Sequence, residues 1–133
     1  VWASSNAPPV KSLYHPLVPD RILDTRYGTG APTAKLGPGA SMDLQVTGRG
    51  GVPSTGVAAV VLNVTVTEPS AASHLTAWPT GSPLPVASNL NYVAGQTVPN
   101  LVVAKVGSGG KVSLRNNSGQ THVIADVVGW YGQ

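Results

Sequence analysis

Apolar and polar positions alternate with a period of two along much of the chain. The longest such run is Val57–Thr67, VAAVVLNVTVT. Val60, Leu62, Val64 and Val66 fall on one face, and Val61, Asn63, Thr65 and Thr67 on the other. β-Branched residues on both faces of a period-two pattern predict a strand. The nearly continuous apolar stretch up to Asn63 predicts an inner strand covered on both faces. Residues 121–131, THVIADVVGWY, have the same character, with Asp126 as the polar interruption. Residues 41–46 alternate cleanly, with Met42, Leu44 and Val46 inward and Ser41, Asp43 and Gln45 outward, as in a half-exposed strand. Shorter runs at 21–26, 74–78, 87–92, 100–106 and 111–116 bring the total to about eight strands.

No window repeats at the helical period without a Gly or Pro inside it, so no helix longer than about one turn is expected. Two Gly/Asn-rich connections, GSGG at 107–110 and NNSG at 116–119, separate alternating runs. Each has the form of a β-hairpin turn, which predicts a three-stranded antiparallel meander in the last third. Short strands spaced by about 8–15 residues predict an all-β, antiparallel β-sandwich of jelly-roll or Greek-key type, with a small barrel as the alternative.

Composition agrees with many short elements joined by turns. The 133 residues include 16 Gly and 12 Pro, yet 41% are hydrophobic, which argues against disorder. Phe is absent and Met occurs once, so Val and Leu must fill the core. Pro8, Pro9, Pro16 and Pro19 mark residues 1–19 as an extended leader or linker arm, with the domain proper over 20–133. Trp2, Leu13 and Tyr14 would anchor that arm to the domain or to a neighbouring chain. Val1-Trp2-Ala3 also fits the small-x-Ala pattern that precedes a signal-peptidase cut.

Charge and chemistry narrow the function classes. Charged residues make up 10% of the chain with a net charge of +3, spread without a Lys/Arg run, so nucleic-acid binding is not expected. There is no 18-residue apolar stretch, so no membrane-spanning helix is expected. With no Cys, disulfides and thiolate metal sites are excluded. His15, His74 and His122 lack ligand-type spacing, and no cofactor or metal is expected. Of the five carboxylates, Asp24 and Asp126 could face each other as an acid/base pair. Both lie in apolar strands with Arg21, Arg26 and Arg115 to hand, which favours structural pairing over catalysis. Asp24, Arg26, Asn63 and a largely buried Asp126 are therefore assigned structural roles. The sequons at Asn63 and Asn116 are attributed to chance.

Aromatics and amides are better suited to binding. Trp78, Tyr92, Trp130 and Tyr131 fall near strand ends, and Asn89, Asn91, His74, Arg115, Asn116 and Asn117 carry hydrogen-bonding groups. Sugars are held by an aromatic face against the apolar side of the ring and by planar amides on the hydroxyls. The expected site is one end of the sandwich, where Trp78, Asn89, Asn91, Tyr92, Arg115 and Trp130 would converge. The competing reading gives the aromatics to the core.

PDRILDTR, GVPSTGVAAVVLNVTVTEP, HLTAWPTG, SNLNY, GQTVPNLV and GKVSLRNNSGQTHVIADVVGWY, in that order from Pro19 to Gly132, resemble a domain found on secreted proteins of actinobacteria. That domain occurs near the C-terminus of extracellular hydrolases and surface proteins, sometimes repeated. The resemblance implies an extracellular, secreted or cell-surface location and a non-catalytic accessory role. It brings no ligand and no catalytic residues with it. The expectation is an accessory module that binds cell-wall or other glycan polymer. The alternative is a structural, self-assembling surface subunit held by edge strands or the N-terminal arm.

Overall fold

A computed structural model describes residues 12–133. Eight strands follow one another: β1 (Leu13–Asp24), β2 (Ser41–Gln45), β3 (Val57–Thr67), β4 (Ser73–Pro79), β5 (Leu90–Tyr92), β6 (Val98–Lys105), β7 (Lys111–Asn116) and β8 (His122–Gly132). A single 3-10 turn, Ser108–Gly110, lies between β6 and β7. The strands form two four-stranded sheets, ordered β1-β8-β3-β6 and β2-β7-β4-β5, and all pairs are antiparallel. The sheets face each other across one core, and the strand order is that of a jelly roll.

The alternation decides which side chains enter that core. Val60, Leu62, Val64 and Val66 of β3 are fully buried, as are Leu44, Leu75, Val112, Leu114, Val123 and Val127 from the strands around and across from them. Tyr92 and Trp130 are the aromatics of this cluster, and the rest is Val, Leu, Ile and Ala. β3 is indeed an inner strand, between β8 and β6. Its second face is not covered by a further layer, however. Ala59, Asn63 and Thr65 are only half-buried there, and the neighbouring β6 residues Leu101 and Val103 are exposed.

The expected meander does not form. β6 pairs with β3, β7 with β2 and β4, and β8 with β1 and β3. Both Gly/Asn connections carry the chain from one sheet to the other. At the first, Gly107 N–H donates to the Lys111 carbonyl, Ser108 N–H to the Thr80 carbonyl, and the Gly110 carbonyl accepts from Val46 and Thr47. The glycines serve an arch packed on the Thr80 turn. A Cβ on Gly107 would overlap the Thr80 backbone, which is backbone approach and not hairpin geometry.

The sheet also begins earlier than the prolines suggest. β1 starts at Leu13, seven residues before the expected boundary, and pairs Leu13 with Gly132, Tyr14 with Tyr131 and His15 with Trp130. Pro16 and Pro19 coincide with the shift in register between Pro16 and Asp20. An edge strand tolerates that, because the missing donors need no partner on its free side. Residues 13–19 therefore belong to the sheet, and Leu13 and Tyr14 lie on it half-exposed. Trp2, the third expected anchor, lies outside the described residues.

Candidate functional site

The outer face of the second sheet is built from the polar half of four alternating strands. On β4, Leu75 points into the core, so His74, Thr76 and Trp78 share the opposite face. On β7, Val112 and Leu114 are buried inward, which turns Lys111, Ser113 and Arg115 outward. Ser41, Asp43 and Gln45 do the same on β2, and Asn91 on β5. Pairing then sets these residues in rows. Trp78 lies opposite Ser113, which lies opposite Asp43. Thr76 lies opposite Arg115, which lies opposite Ser41. His74 lies opposite Asn91. Successive rows are about 6.8 Å apart along the strands.

Hydrogen bonds hold parts of this face in place. Ser113 Oγ donates to Asp43 Oδ1 at 2.7 Å. Trp78 Nε1 donates to the Ser82 carbonyl at 3.1 Å, which fixes the indole at the start of the 80–89 loop. Thr76 Oγ1 donates to the Ala87 carbonyl at 2.7 Å, so the same loop is tied down at its far end. Arg115 Nη1 donates to Asn117 Oδ1 at 3.1 Å. Between the tied-down loop and the sheet lies a groove of about 320 Å³, with His74, Thr76 and Arg115 on its floor and Leu84 to Ser88 as its wall. Leu84 and Val86 are strongly exposed on that wall.

The six residues expected to bind thus divide. Trp78, Asn91 and Arg115 stand on this one face, joined by His74. Asn89, Tyr92 and Trp130 do not. Asn89 Oδ1 accepts the Ala77 backbone N–H at 2.8 Å, and the Asn89 carbonyl accepts from Asn100, so this residue ties β5 to β4 and β6. Tyr92 is buried, its hydroxyl donates to Asn116 Oδ1, and burial pushes the phenol above its usual range. Trp130 is 8% exposed, within the core cluster, and stacks on His15 with ring centroids 3.8 Å apart. The expected convergence at one end of the sandwich is therefore replaced by a platform on a sheet face. The alternation of polar residues in HLTAW, KVSLR and SMDLQ carried the signal for it, but choosing the face required knowing that these three strands are neighbours.

Asn116 is also no surface donor. It is fully buried and uses all of its hydrogen-bonding capacity. Nδ2 donates to the carbonyls of Gly119 at 2.8 Å, Leu36 at 3.2 Å and Gly37 at 3.3 Å, while Oδ1 accepts from Ser73 and Tyr92. One side chain thus joins the loop before β2, the starts of β4 and the β7–β8 arch, and the end of β5.

Arg21 stands between the carboxylates of Asp24 and Asp126 and contacts both. Asp24 is 1% exposed and is gripped by Arg26, with Nε to Oδ1 at 3.0 Å and Nη2 to Oδ2 at 2.9 Å, and by the Arg26 backbone N–H. The Arg26 fork, more than any other contact, lowers the Asp24 pKa below the ordinary carboxylate value, with Arg21 adding to it from 3.5 Å. Asp126 accepts a two-pronged contact from Arg21 at 2.8 and 3.2 Å. Its side chain is 20% exposed, so it is largely buried although it lies on the outer face of the first sheet. Asp126 lies in the middle of β8, and Asn63 faces it across the strand pair, half-buried on the same outer face. Both positions follow from the strand being uncovered on that side. Among the described residues no group of three or more His, Asp or Glu could hold a metal ion, and no helix is long and apolar enough to cross a membrane.

A second, smaller cavity of about 230 Å³ lies between β2 and the loop of residues 30–36, lined largely by Ala31, Pro32, Ala34, Leu36 and Met42. Comparison with known proteins adds no assignment to either place: no protein-family model matches the chain, and no curated protein matches it.

Proposed function

We propose that this chain is a non-catalytic, extracellular accessory module that binds cell-wall or other glycan polymer on the outer face of its second sheet. The observation that carries the reading is the gathering of Trp78, His74, Asn91 and Arg115 on one sheet face, beside a groove with an apolar wall. An indole, an imidazole, an amide and a guanidinium within three rows can address both the apolar and the hydroxylated side of a sugar ring. The open, elongated form of a sheet face suits a polymer better than an isolated small molecule. The arginine-held state of Asp24 and Asp126 supports the non-catalytic part. The likeness of the strand motifs to the domain of secreted actinobacterial proteins supports the extracellular part.

The test is retention on insoluble cell wall and on glycan polymers. Wild type should be retained in chelator and at about 0.15 M salt, where exposed charge pairs beyond about 8 Å are screened. Trp78→Ala should weaken retention roughly tenfold, equivalent to about 1.4 kcal/mol. Failure of wild type to bind any wall fraction or polymer, or loss of all binding at that salt, removes the reading.

One observation favours the alternative, a self-assembling surface subunit. The first sheet leaves its outer face uncovered, with Leu101 and Val103 about 60% exposed on β6 and Tyr14 against Tyr131 across β1 and β8. Pro99 and Lys105 at the two ends of β6 work against edge-to-edge pairing. Assembly would therefore use this face. Sedimentation showing an oligomer that Leu101→Lys dissolves is the result that selects it.

A further inference from the structure

We infer that the groove beside β4 takes a carboxylated sugar, with Arg115 as the residue that reads the carboxylate; this rests on the glycan reading of the same face. Among the described residues the salt bridges engage Arg21 and Arg26 with Asp24 and Asp126, and none involves Arg115. Asp43 shares the face but stands one row away, beyond ion-pair distance, and accepts from Ser113. The residues lining the groove include no acid at all. Arg115 is therefore a permanent cation at the edge of a groove with nothing negative in it.

Its guanidinium is also positioned. Asn117 takes a hydrogen bond from Nη1, and Nη2 lies beside Gly39. A guanidinium has five N–H donors, so fixing one of them leaves an edge free for a planar partner. A carboxylate matches that edge with two parallel hydrogen bonds. Charge and acceptor strength select the ligand class: the groove has one permanent cation, which balances a carboxylate monoanion. A phosphomonoester carries more charge and calls for several cations or backbone donors, and a sulfate ester or phosphodiester, a monoanion like the carboxylate, offers weaker acceptor oxygens to the single guanidinium. The wall supplies the remainder. Leu84 and Val86 offer apolar surface to the ring's hydrocarbon face, and Thr76 and His74 line the floor. Neutralising the carboxylate while keeping the sugar should therefore remove the contribution of Arg115 and leave that of Trp78.

The test compares polygalacturonate with the same polymer fully methyl-esterified, and with heparin as the sulfated arm. Wild type should prefer polygalacturonate to the ester by roughly tenfold or more, the range of a charge-assisted hydrogen-bond pair. Arg115→Gln should abolish that preference, and Arg115→Lys should restore only part of it. Trp78→Ala should weaken both polymers alike. In parallel, galacturonate added to the ¹⁵N-labelled wild-type protein should shift the Arg115 Nε–H signal, while methyl galactoside should not; this arm stands if a variant fails to fold. Equal binding of the ester and the acid, or a silent Arg115 signal, overturns the carboxylate assignment while leaving the glycan reading intact. Preference for heparin over polygalacturonate also overturns it. Absence of binding to every polymer and to cell wall brings down both.

Discussion

Replacing Asn116 by alanine should be among the most destabilising polar substitutions at the described residues. The side chain is fully buried, and its amide satisfies groups from four separate segments. Removing it deletes four hydrogen-bond equivalents: one donor hydrogen shared between Leu36 and Gly37, one on Gly119, and two acceptances from Ser73 and Tyr92. At about 1 kcal/mol net for each, the loss is roughly 4 kcal/mol. Partial relief lowers that figure, since Ser73 Oγ also lies within reach of the His74 carbonyl. Burial of the Tyr92 hydroxyl raises it, because a stranded buried group costs about 1–3 kcal/mol. The expected destabilisation is therefore about 3–5 kcal/mol, a large part of the 5–15 kcal/mol typical of a domain. Urea denaturation followed by tryptophan fluorescence should show a lower midpoint with an unchanged m-value. Asn116→Asp should be at least as damaging, because it removes the donors and buries a charge against three carbonyls. A loss below about 1 kcal/mol for Asn116→Ala would refute the view that this residue pins the arches.

Other outcomes follow from the same structure. Trp130→Ala should cost about 3–5 kcal/mol as a core truncation, whereas Trp78→Ala should change the denaturation midpoint much less and act on glycan retention, so the two indoles are separable by one pair of measurements. Gly107→Ala should lose about 1–3 kcal/mol, read as a lower melting temperature, because the new Cβ meets the Thr80 backbone; an unchanged melting temperature would mean that the β6–β7 arch has room to move. Asp24 has a folded-state pKa below its unfolded value of about 3.9, so its contribution is complete above that pH and is lost as pH falls through the lower folded value. Urea midpoints measured from pH 6 down to pH 3 should fall less steeply for Asp24→Asn than for wild type, and parallel curves would count against the Arg26 pairing.

What the sequence by itself determined is local. Period-two alternation with β-branched residues located β2, β3, β7 and β8 almost to the residue, because the pleat imposes that period whatever the strand's neighbours are. It also separated inward from outward side chains on the strands that pair without a register shift, so the polar stripe of β4 and β7 is legible in the amino-acid pattern alone. Tertiary structure decided everything that depends on which strand lies beside which. A glycine-rich turn between two alternating runs has the same sequence whether it closes a hairpin or crosses between sheets. Only the packing of Gly107 on the Thr80 turn and the anchoring of the second arch by Asn116 separated the two cases. The same dependence placed Trp130 in the core and Trp78 on the platform, although both are tryptophans near strand ends. Trp130 sits opposite Val60 and His15, on the inward side of β8, and Trp78 sits opposite Ser113 on the outward side of β4. Residues 13–19 depart from the expected leader for a related reason. Prolines remove donors, which argues against a central strand, but an edge strand can spare them, and edge position is a property of the assembled sheet.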